Sequence, residues 1–233
     1  MFPISDDNSD RVRTAYVNYF LIAANILVFV FFQGMGANQA FLLSFSTVPG
    51  EILSGQDVVF DEAGQLGRTP IPVYGTLITS MFMHGGIAHL AGNMLYLWVF
   101  GDNLENRMGH QRYLAFYIIC GLLASLAHVG TSYVTGKDLF IPSLGASGAI
   151  SGVMGGYILL FPRNKVNVIA IGSIVSVPAV VSLGIWIALQ VVNGLGMLGG
   201  ASEGGGVAYM AHIGGFVAGL LLVKLFDVKR RNT

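Results

Sequence analysis

Three apolar segments of the chain contain polar residues of the types that carry out nucleophilic chemistry. Ser147 stands in SLGASGAISG, His212 stands in AYMAHIGGFVAG, and His89 and Asn93 stand four residues apart in a third segment. A spacing of four places two side chains on one face of a helix. Serine is a weak nucleophile until a neighbouring base accepts its proton, and histidine is the usual base near neutral pH. The combination therefore indicates acyl transfer, with His89 and Asn93 suited to hold an oxyanion.

Each of these residues also has a simpler structural interpretation. Serine is a common helix N-cap, so Ser147 could only start a helix. His212 could be a hydrogen-bonding residue between helices, and the pair in the third segment could be polar contacts within the bundle. His128 has no polar partner nearby in the sequence and is interpreted as structural or interfacial, whereas His110 is assigned no role. A catalytic interpretation therefore requires that the three segments meet in space.

The elements that must position these residues are predicted to be membrane helices. The chain has 233 residues, of which 54% are hydrophobic and 10% are charged, whereas about 25% are charged in a soluble domain. A spanning helix needs about 20 mostly apolar residues. Six candidate spans meet that description, at roughly 16–35, 82–101, 112–133, 146–162, 172–196 and 207–226. The predicted fold is therefore an all-α polytopic membrane protein, a bundle of six transmembrane helices.

The same pattern predicts the organisation of the chain. Residues 16–226 are expected to form one domain that contains an external loop at about 36–80. A short cytoplasmic segment, residues 1–15, precedes this domain, and a basic cytoplasmic tail, residues 227–233, follows it. A single cysteine excludes an internal disulfide. Twelve basic and twelve acidic residues give no net charge, so the composition does not suggest a nucleic-acid partner.

The basic residues are distributed unevenly between the predicted loops. Arg68 and Lys137 lie on one side of the membrane, and the other ten lysines and arginines lie on the side of both termini. Positively charged loops favour the cytoplasm, so both termini are predicted to be cytoplasmic, in a bacterial cytoplasmic membrane. Spans two, four and six then run inwards, and their polar residues share one depth near the external side. A polar layer inside a membrane commonly marks a site or a water-filled cavity.

Small residues are predicted to bring two of these spans together. Glycines recur at a spacing of four in both spans: Gly148, Gly152 and Gly156 in span four, and Gly215 and Gly219 in span six. Such faces allow two helix backbones to approach closely, so Ser147 and His212 are expected to touch. No acidic residue lies between Gly206 and Lys224 or within span four. A Ser–His dyad is therefore favoured over a triad.

Four motifs in this order resemble the rhomboid intramembrane serine proteases. They are HGGIAHLAGN, GDNLENRMG, GASG and AHIGGFVAG, and the resemblance covers about residues 74–226. It implies a rhomboid-like bundle in which Ser147 is the nucleophile and His212 the general base. It also implies that His89, Asn93 and the Ser147 amide form the oxyanion hole, with His84 at the outer mouth of the site.

The resemblance further implies how the protein meets its substrate. The expected substrates are single-pass membrane proteins in the lipid bilayer, whose helices unwind near their outer ends. Span five is expected to move sideways to admit them, aided by a glycine-rich loop at residues 199–206. No cofactor and no metal is implied. The oligomeric state is not predicted.

Two positions depart from the family pattern. Many relatives carry Trp-Arg before the first histidine of the second span, where this chain has Gly-Thr at 75–76. Many relatives also carry an aromatic residue beneath the catalytic histidine, where this chain has Ser151. Tyr157 or Tyr209 is therefore expected to support the His212 ring.

Two other classes of function compete with proteolysis. A non-catalytic rhomboid-like protein that binds membrane clients would be expected to lack the serine or the histidine, and both are present. A transporter or proton-relay protein could use the same polar layer, but no intramembrane carboxylate and no evident inverted repeat supports it. The sequence therefore favours the protease.

Overall fold

A bundle of helices with a small sheet at one end positions these residues. The computed structural model describes residues 2–59, 67–170, 172–198 and 208–227. Its helices are α1 (Tyr16–Leu27), α2 (Gln39–Phe45), α3 (Pro49–Ser54), α4 (Thr76–Thr79), α5 (Ile87–Met108), α6 (His110–Thr135), α7 (Ser147–Leu160), α8 (Ala179–Leu198) and α9 (Tyr209–Phe226). Its strands are β1 (Phe2–Asp6), β2 (Lys165–Ala170) and β3 (Ser173–Pro178). The predicted loop at 199–206 and the tail beyond Asp227 lie outside the described residues.

Three helices in the described part of the chain, α6, α8 and α9, are long and apolar enough to cross a membrane. Helix α7 has 14 residues, and α1 with the π-helical turn that continues it to Phe32 has 17. Helix α5 has 22 residues but ends in the charged sequence GDNLENRM. The prediction of a helical membrane bundle is confirmed, whereas the number of six spans stays a prediction.

The expectation of an all-α fold is wrong at the end of the bundle where the N-terminus lies. Strands β1, β2 and β3 form an antiparallel sheet in that order. Residues 173–178 were expected within span five, but they form β3, and the helix begins only at Ala179. Pro178 explains that boundary, because proline lacks the N–H that a helix interior needs. Valine and isoleucine in β2 and β3 favour the strand because branched side chains pack well on a pleated sheet.

The span-two motif GDNLENRMG attaches the N-terminal segment to the bundle. The Asp102 carboxylate pairs with Arg11 at 2.7 Å, and the Asn106 side chain accepts the backbone N–H groups of Val12 and Arg13. The Glu105 carboxylate accepts the first N–H groups of α1 at 2.7–2.9 Å. These N–H groups have no partner within their own helix, so the carboxylate stabilises the start of α1.

The end of α9 reaches the same face. Arg107 pairs with Asp227 just after α9 at 2.5 Å, and β2, which follows α7, pairs with β1. The N-terminal segment, the end of α5, the β2–β3 sheet and the end of α9 therefore share one end of the bundle. The polar residues of the predicted site lie near the other end, because α7 and α9 begin there.

Asp6 connects the sheet to the bundle and has an unusual environment. Its carboxylate accepts hydrogen bonds from Tyr157 and Asn103, both at 2.6 Å. Burial raises the pKa of Asp6 to about 7, and the nearby Asp102 charge also raises it, although the two hydrogen bonds oppose the change. The ordinary value for the free side chain is 3.8. The folded protein therefore holds a proton on Asp6 over a pH range in which the unfolded chain has lost it.

This difference predicts the pH dependence of stability. Because the folded state binds the extra proton, the contribution of Asp6 to stability falls as pH rises from about 4 to about 7. Asp6→Asn carries a neutral amide at every pH, so we expect a flatter slope of melting temperature against pH. Thermal unfolding in detergent micelles at pH 4.5–7.5 measures it, with Asp7→Asn at the exposed neighbouring residue as the control. An Asp6→Asn variant with the parent's slope would contradict the raised pKa of Asp6 in the folded protein.

Candidate active site

A cavity of about 600 Å³ lies between helices at the end of the bundle away from the sheet. Its walls come from α5, α6, α7, α8 and α9 and from the loop that leads into α7. Ser147, His212, His89 and Asn93 all line it. The structure therefore brings together the four residues to which the sequence analysis assigned chemistry.

Ser147 and His212 are in direct hydrogen-bond contact. Ser147 is the first residue of α7, and His212 lies in the first turn of α9. The distance from His212 Nε2 to Ser147 Oγ is 2.8 Å. The N-cap of α7 is Ala146, and the cap makes no side-chain hydrogen bond. The Ser147 hydroxyl is thus directed at an imidazole and does not cap its own helix.

Glycines allow the two helices to approach this closely. A Cβ added at Gly215 would overlap the backbone carbonyl of Gly148, and one added at Gly219 would overlap the carbonyl of Gly152. On the other side of α7, a Cβ at Gly148 would lie 2.7 Å from the Cβ of Ala124 in α6. The predicted glycine faces are therefore placed against each other, with backbone in contact with backbone.

The His212 ring is held by α8. Its Nδ1 lies 2.8 Å from Oε1 of Gln190, and its centroid lies 5.8 Å from that of Trp186. Neither tyrosine expected to support the ring does so in the described residues. Tyr157 donates its hydroxyl to Asp6 at the far end of α7, and Tyr209 makes no ring contact with His212 in the part described.

Gln190 and Trp186 are the residues that sequence analysis missed. They stand four apart on α8, so they share the helix face that borders the cavity. The signal available in the sequence was a glutamine in a mostly apolar span, because an amide inside a membrane bundle commonly has a partner. The same span holds a second amide, Asn193, which the structure leaves exposed. The helix that contains this glutamine was expected only to move sideways and admit a substrate.

Three hydrogen-bond donors are placed around Gly145, two residues before Ser147. His89 Nδ1 accepts the backbone N–H of Gly85 at 3.4 Å, which leaves the proton of the neutral ring on Nε2. A Cβ added at Gly145 would lie 2.9 Å from His89 Nε2 and 3.6 Å from Asn93 Nδ2. Asn93 Nδ2 is buried and has no hydrogen-bond partner among the described residues. The backbone N–H of Ser147 is the third donor, since the first N–H groups of a helix have no partner within it.

Gly145 is required here for two reasons. Its φ of 116° is a conformation that other residues rarely adopt. A side chain at this position would also collide with the His89 ring, as the 2.9 Å distance indicates. The GASG motif therefore carries a glycine that keeps space open next to both donor side chains.

His84 occupies a different place from the one expected. It is fully buried, and its ring packs edge-on against His89 with centroids 5.2 Å apart. The Gln33 amide holds its backbone, accepting the N–H and donating to the carbonyl. His84 therefore lies behind His89 and not at the mouth of the cavity. His128, expected to be structural or interfacial, lies in the cavity wall.

The sequence that forms this site is similar to known proteins of one family. A family model described as the rhomboid domain matches residues 73–227, more than half of the chain. Mitochondrial rhomboid protein 1 of Saccharomyces cerevisiae is 33% identical over 146 residues, which cover 63% of this chain and 40% of that protein. Rhomboid protease GluP of Bacillus subtilis is 32% identical over 190 residues, 80% of this chain and 33% of that protein.

A human protein is also similar to this chain. The mitochondrial presenilin-associated rhomboid-like protein is 27% identical over 149 residues, which cover 64% of this chain and 34% of that protein. The matches thus span between a third and two fifths of the relatives' own lengths. The domain match includes α5 to α9, the helices that line the cavity. This chain is an integral membrane protein and belongs to the rhomboid family.

Proposed function

We propose that this protein is an intramembrane serine endopeptidase that cleaves transmembrane segments of single-pass membrane proteins. The observation that carries the proposal is the 2.8 Å contact between His212 Nε2 and Ser147 Oγ, inside a cavity of a membrane bundle. A serine becomes nucleophilic when a base within hydrogen-bond reach accepts its proton. The Bacillus subtilis relative is named a rhomboid protease, which supports the same activity for this chain.

The residues can be assigned to the two halves of an acyl-transfer reaction. Ser147 Oγ attacks the carbonyl carbon of the scissile peptide while its proton passes to His212 Nε2. The negative charge on the carbonyl oxygen is accepted by donors of His89, Asn93 and the Ser147 backbone. When the C–N bond breaks, His212 returns the proton to the leaving amine. His212 then accepts a proton from water, whose oxygen attacks the acyl carbon. The bond from that carbon to Ser147 Oγ breaks, the carboxylic acid product leaves, and His212 gives the proton to Oγ.

The position of the cavity suggests which bonds can be cut. Ser147 and His212 lie at the beginnings of their helices, so the nucleophile is close to one end of the bundle. A peptide bond inside an intact helix is shielded by its own side chains and hydrogen bonds. The substrate helix is therefore expected to unwind near its end at that side of the membrane before it is cleaved.

The side of the cavity between α5 and α8 is the proposed route by which a substrate helix reaches it. Only four of the 20 residues of α8 are buried: Ala179, Ser182, Leu183 and Gly194. Tyr96 of α5 and Trp186 of α8 face each other with ring centroids 6.5 Å apart. A helix with so few buried residues is the least costly one to displace.

The orientation in the membrane follows from the basic residues. Both termini are proposed to be cytoplasmic, in a bacterial cytoplasmic membrane, although the relatives include mitochondrial proteins as well as a bacterial one. The N-terminal segment and the end of α9 lie at one end of the bundle, where most lysines and arginines also lie. A reporter fused after Thr233 that responds from outside the cell would overturn this orientation.

Cleavage by the purified protein tests the proposed function. The protein is reconstituted in liposomes with a panel of single-pass membrane proteins, and products are mapped by mass spectrometry. We expect a cut within or at the edge of a transmembrane segment, together with fluorophosphonate labelling of the enzyme. A folded protein that cuts no substrate and takes no label would instead indicate a rhomboid-like protein that only binds membrane clients.

The oxyanion assignment predicts a graded loss of rate. Loss of one donor typically costs about 10²–10³ in rate. Because two other donors remain, we expect roughly 10-fold to 10³-fold for His89→Ala and Asn93→Ala taken singly. The double variant should lose less than the product of the two, because both donors act on one developing charge.

The measurement is turnover of one fluorogenic membrane substrate at a fixed ratio of enzyme to lipid. Melting curves are recorded for the same variants, and they distinguish a loss of catalysis from a loss of folding. Asn193→Ala removes an amide from the exposed face of α8 and serves as the control. Parent rates in both single variants would show that His89 and Asn93 are structural contacts.

A further inference from the structure

Helix α8 supplies a polar partner to the base. Gln190 is half-buried, and its Oε1 lies 2.8 Å from His212 Nδ1. On the other side of the same imidazole, Nε2 contacts Ser147 Oγ at the same distance. The two ring nitrogens of His212 are thus both engaged, one by the nucleophile and one by an uncharged amide.

We propose that Gln190 is a positioning residue that fixes the tautomer and orientation of His212, an inference that rests on the proposed protease function. Its Oε1 accepts the proton of Nδ1–H, which leaves the lone pair of Nε2 directed at the Ser147 hydroxyl. A neutral imidazole carries one ring proton, and the hydrogen bond at one nitrogen decides which nitrogen carries it. If the proton were on Nε2, His212 could not act as the base.

The amide continues to act during the reaction. When Nε2 takes the Ser147 proton, the ring becomes a cation, and its Nδ1–H still points at Gln190 Oε1. A hydrogen bond from a charged donor is stronger than one from a neutral donor, so the contact favours the protonated state formed at that step. Gln190 therefore occupies the place that a carboxylate has in a Ser–His–Asp triad.

An amide suits this position because of the membrane. An ionised carboxylate inside a bundle must be paired or solvated, and its burial is costly. Gln190 presents an acceptor oxygen without a charge. This accounts for a base that has a fixed orientation although spans four and six contain no acidic residue.

The contact with Trp186 supports the same role for α8. The indole lies one turn before Gln190 and packs against the His212 ring at 5.8 Å between centroids. The amide thus fixes an edge of the ring while the indole limits its tilt. Both contacts come from one face of α8. Together they define the position of the ring and the nitrogen that carries its proton.

Three variants test the role of the amide. Gln190→Met keeps the length of the side chain but removes the acceptor, and Gln190→Glu keeps an acceptor and adds a charge. Asn193→Leu removes an exposed amide from the same helix and is the matched control. For each, kcat, KM, melting temperature and the pH dependence of kcat/KM are measured with one fluorogenic membrane substrate.

The expected results separate positioning from packing. Gln190→Met should lower kcat by about 10- to 100-fold, less than the roughly 10⁴-fold loss seen when a triad carboxylate is changed. Its KM should stay within about twofold, because Gln190 is not one of the residues that line the cavity. Gln190→Glu should retain more activity than Gln190→Met. Asn193→Leu should behave as the parent.

The pH profile gives a readout that a purely structural glutamine would not change. Among the described residues, the other titratable groups that line the cavity are His89 and Tyr96 on α5, His128 on α6 and Asp138 in the loop after α6. All four remain in every variant. A carboxylate at position 190 favours the protonated imidazole, so the acid limb of kcat/KM should shift to higher pH in Gln190→Glu.

Each outcome decides the inference. If the parent cleaves substrate and Gln190→Met has the same kcat, the proposed role of Gln190 is overturned. The proposed protease function is then unaffected. If Gln190→Met does not fold, the Gln190→Glu variant decides, and a folded variant with an unshifted acid limb overturns the inference. A parent that cleaves nothing and takes no fluorophosphonate overturns the proposed function and this inference with it.

Discussion

Replacing Ser147 with alanine is expected to abolish cleavage and leave a folded protein. The hydroxyl is the only group in the cavity placed 2.8 Å from His212 Nε2 in the described residues, so no attacking oxygen remains without it. Removing a catalytic serine or its histidine costs about 10⁶ in kcat in a soluble serine protease. We expect a loss of about 10⁴-fold or more for Ser147→Ala and for His212→Ala.

The effect on stability should be small, which distinguishes chemistry from folding. Ser147 is half-buried at the first position of α7, and a single net hydrogen bond contributes about 1 kcal/mol. Ser125→Ala in α6 removes a serine that does not line the cavity and is the matched control. Cleavage, fluorophosphonate labelling and melting temperature are measured together. Turnover near the parent rate in either catalytic variant would show that the dyad is assigned to the wrong residues.

The convergence of Ser147 and His212 was predictable because it depends on local sequence. Glycines at a spacing of four define a helix face that any partner can approach closely. The polar residues could be assigned a common depth because α7 and α9 both begin near them. Their placement around one cavity follows from those two features and from the basic residues of the loops, which set the direction of the spans.

The sheet was not predictable in the same way. Residues 165–178 are rich in valine and isoleucine, and a short apolar run does not distinguish a buried strand from the start of a membrane helix. Besides the neighbouring strand β3, β2 pairs with β1, more than 150 positions earlier in the sequence. Pairing over that distance leaves no local pattern. Pro178, which ends β3, lies inside the predicted span at 172–196.

The support of His212 was missed for a related reason. Because the aromatic position of the family pattern is Ser151 here, Tyr157 of α7 or Tyr209 of α9 was expected to support the ring. The structure places the ring against Trp186 and Gln190 of α8, a helix outside both motifs. A single glutamine has no spacing signature, so only the packing of α8 against α9 identifies its partner.

The glycine contacts between α7 and α9 give the second large expected effect. Gly215→Ala adds a Cβ that would overlap the Gly148 carbonyl, and Gly219→Ala adds one that would overlap the Gly152 carbonyl. A backbone carbonyl cannot rotate away as a flexible side chain can, so the helices must separate. Overpacking of this kind typically costs 1–3 kcal/mol, or more where nothing can relax. Both variants should therefore melt at a lower temperature than the parent.

Separation of the helices should also reduce catalysis, most of all at Gly215. This glycine lies three residues after His212, and the carbonyl that it contacts belongs to the residue after Ser147. A displacement of about 1 Å between reacting groups can cost about 10²-fold in rate, so we expect at least about a tenfold loss of cleavage in Gly215→Ala. Gly130→Ala in α6 is the matched control, because that glycine is exposed and has no heavy atom within 4 Å of an added Cβ. Cleavage rates and melting curves in the same detergent compare the three variants. A Gly215→Ala protein with the melting temperature and rate of Gly130→Ala would mean that close backbone contact is not what brings the serine to the histidine.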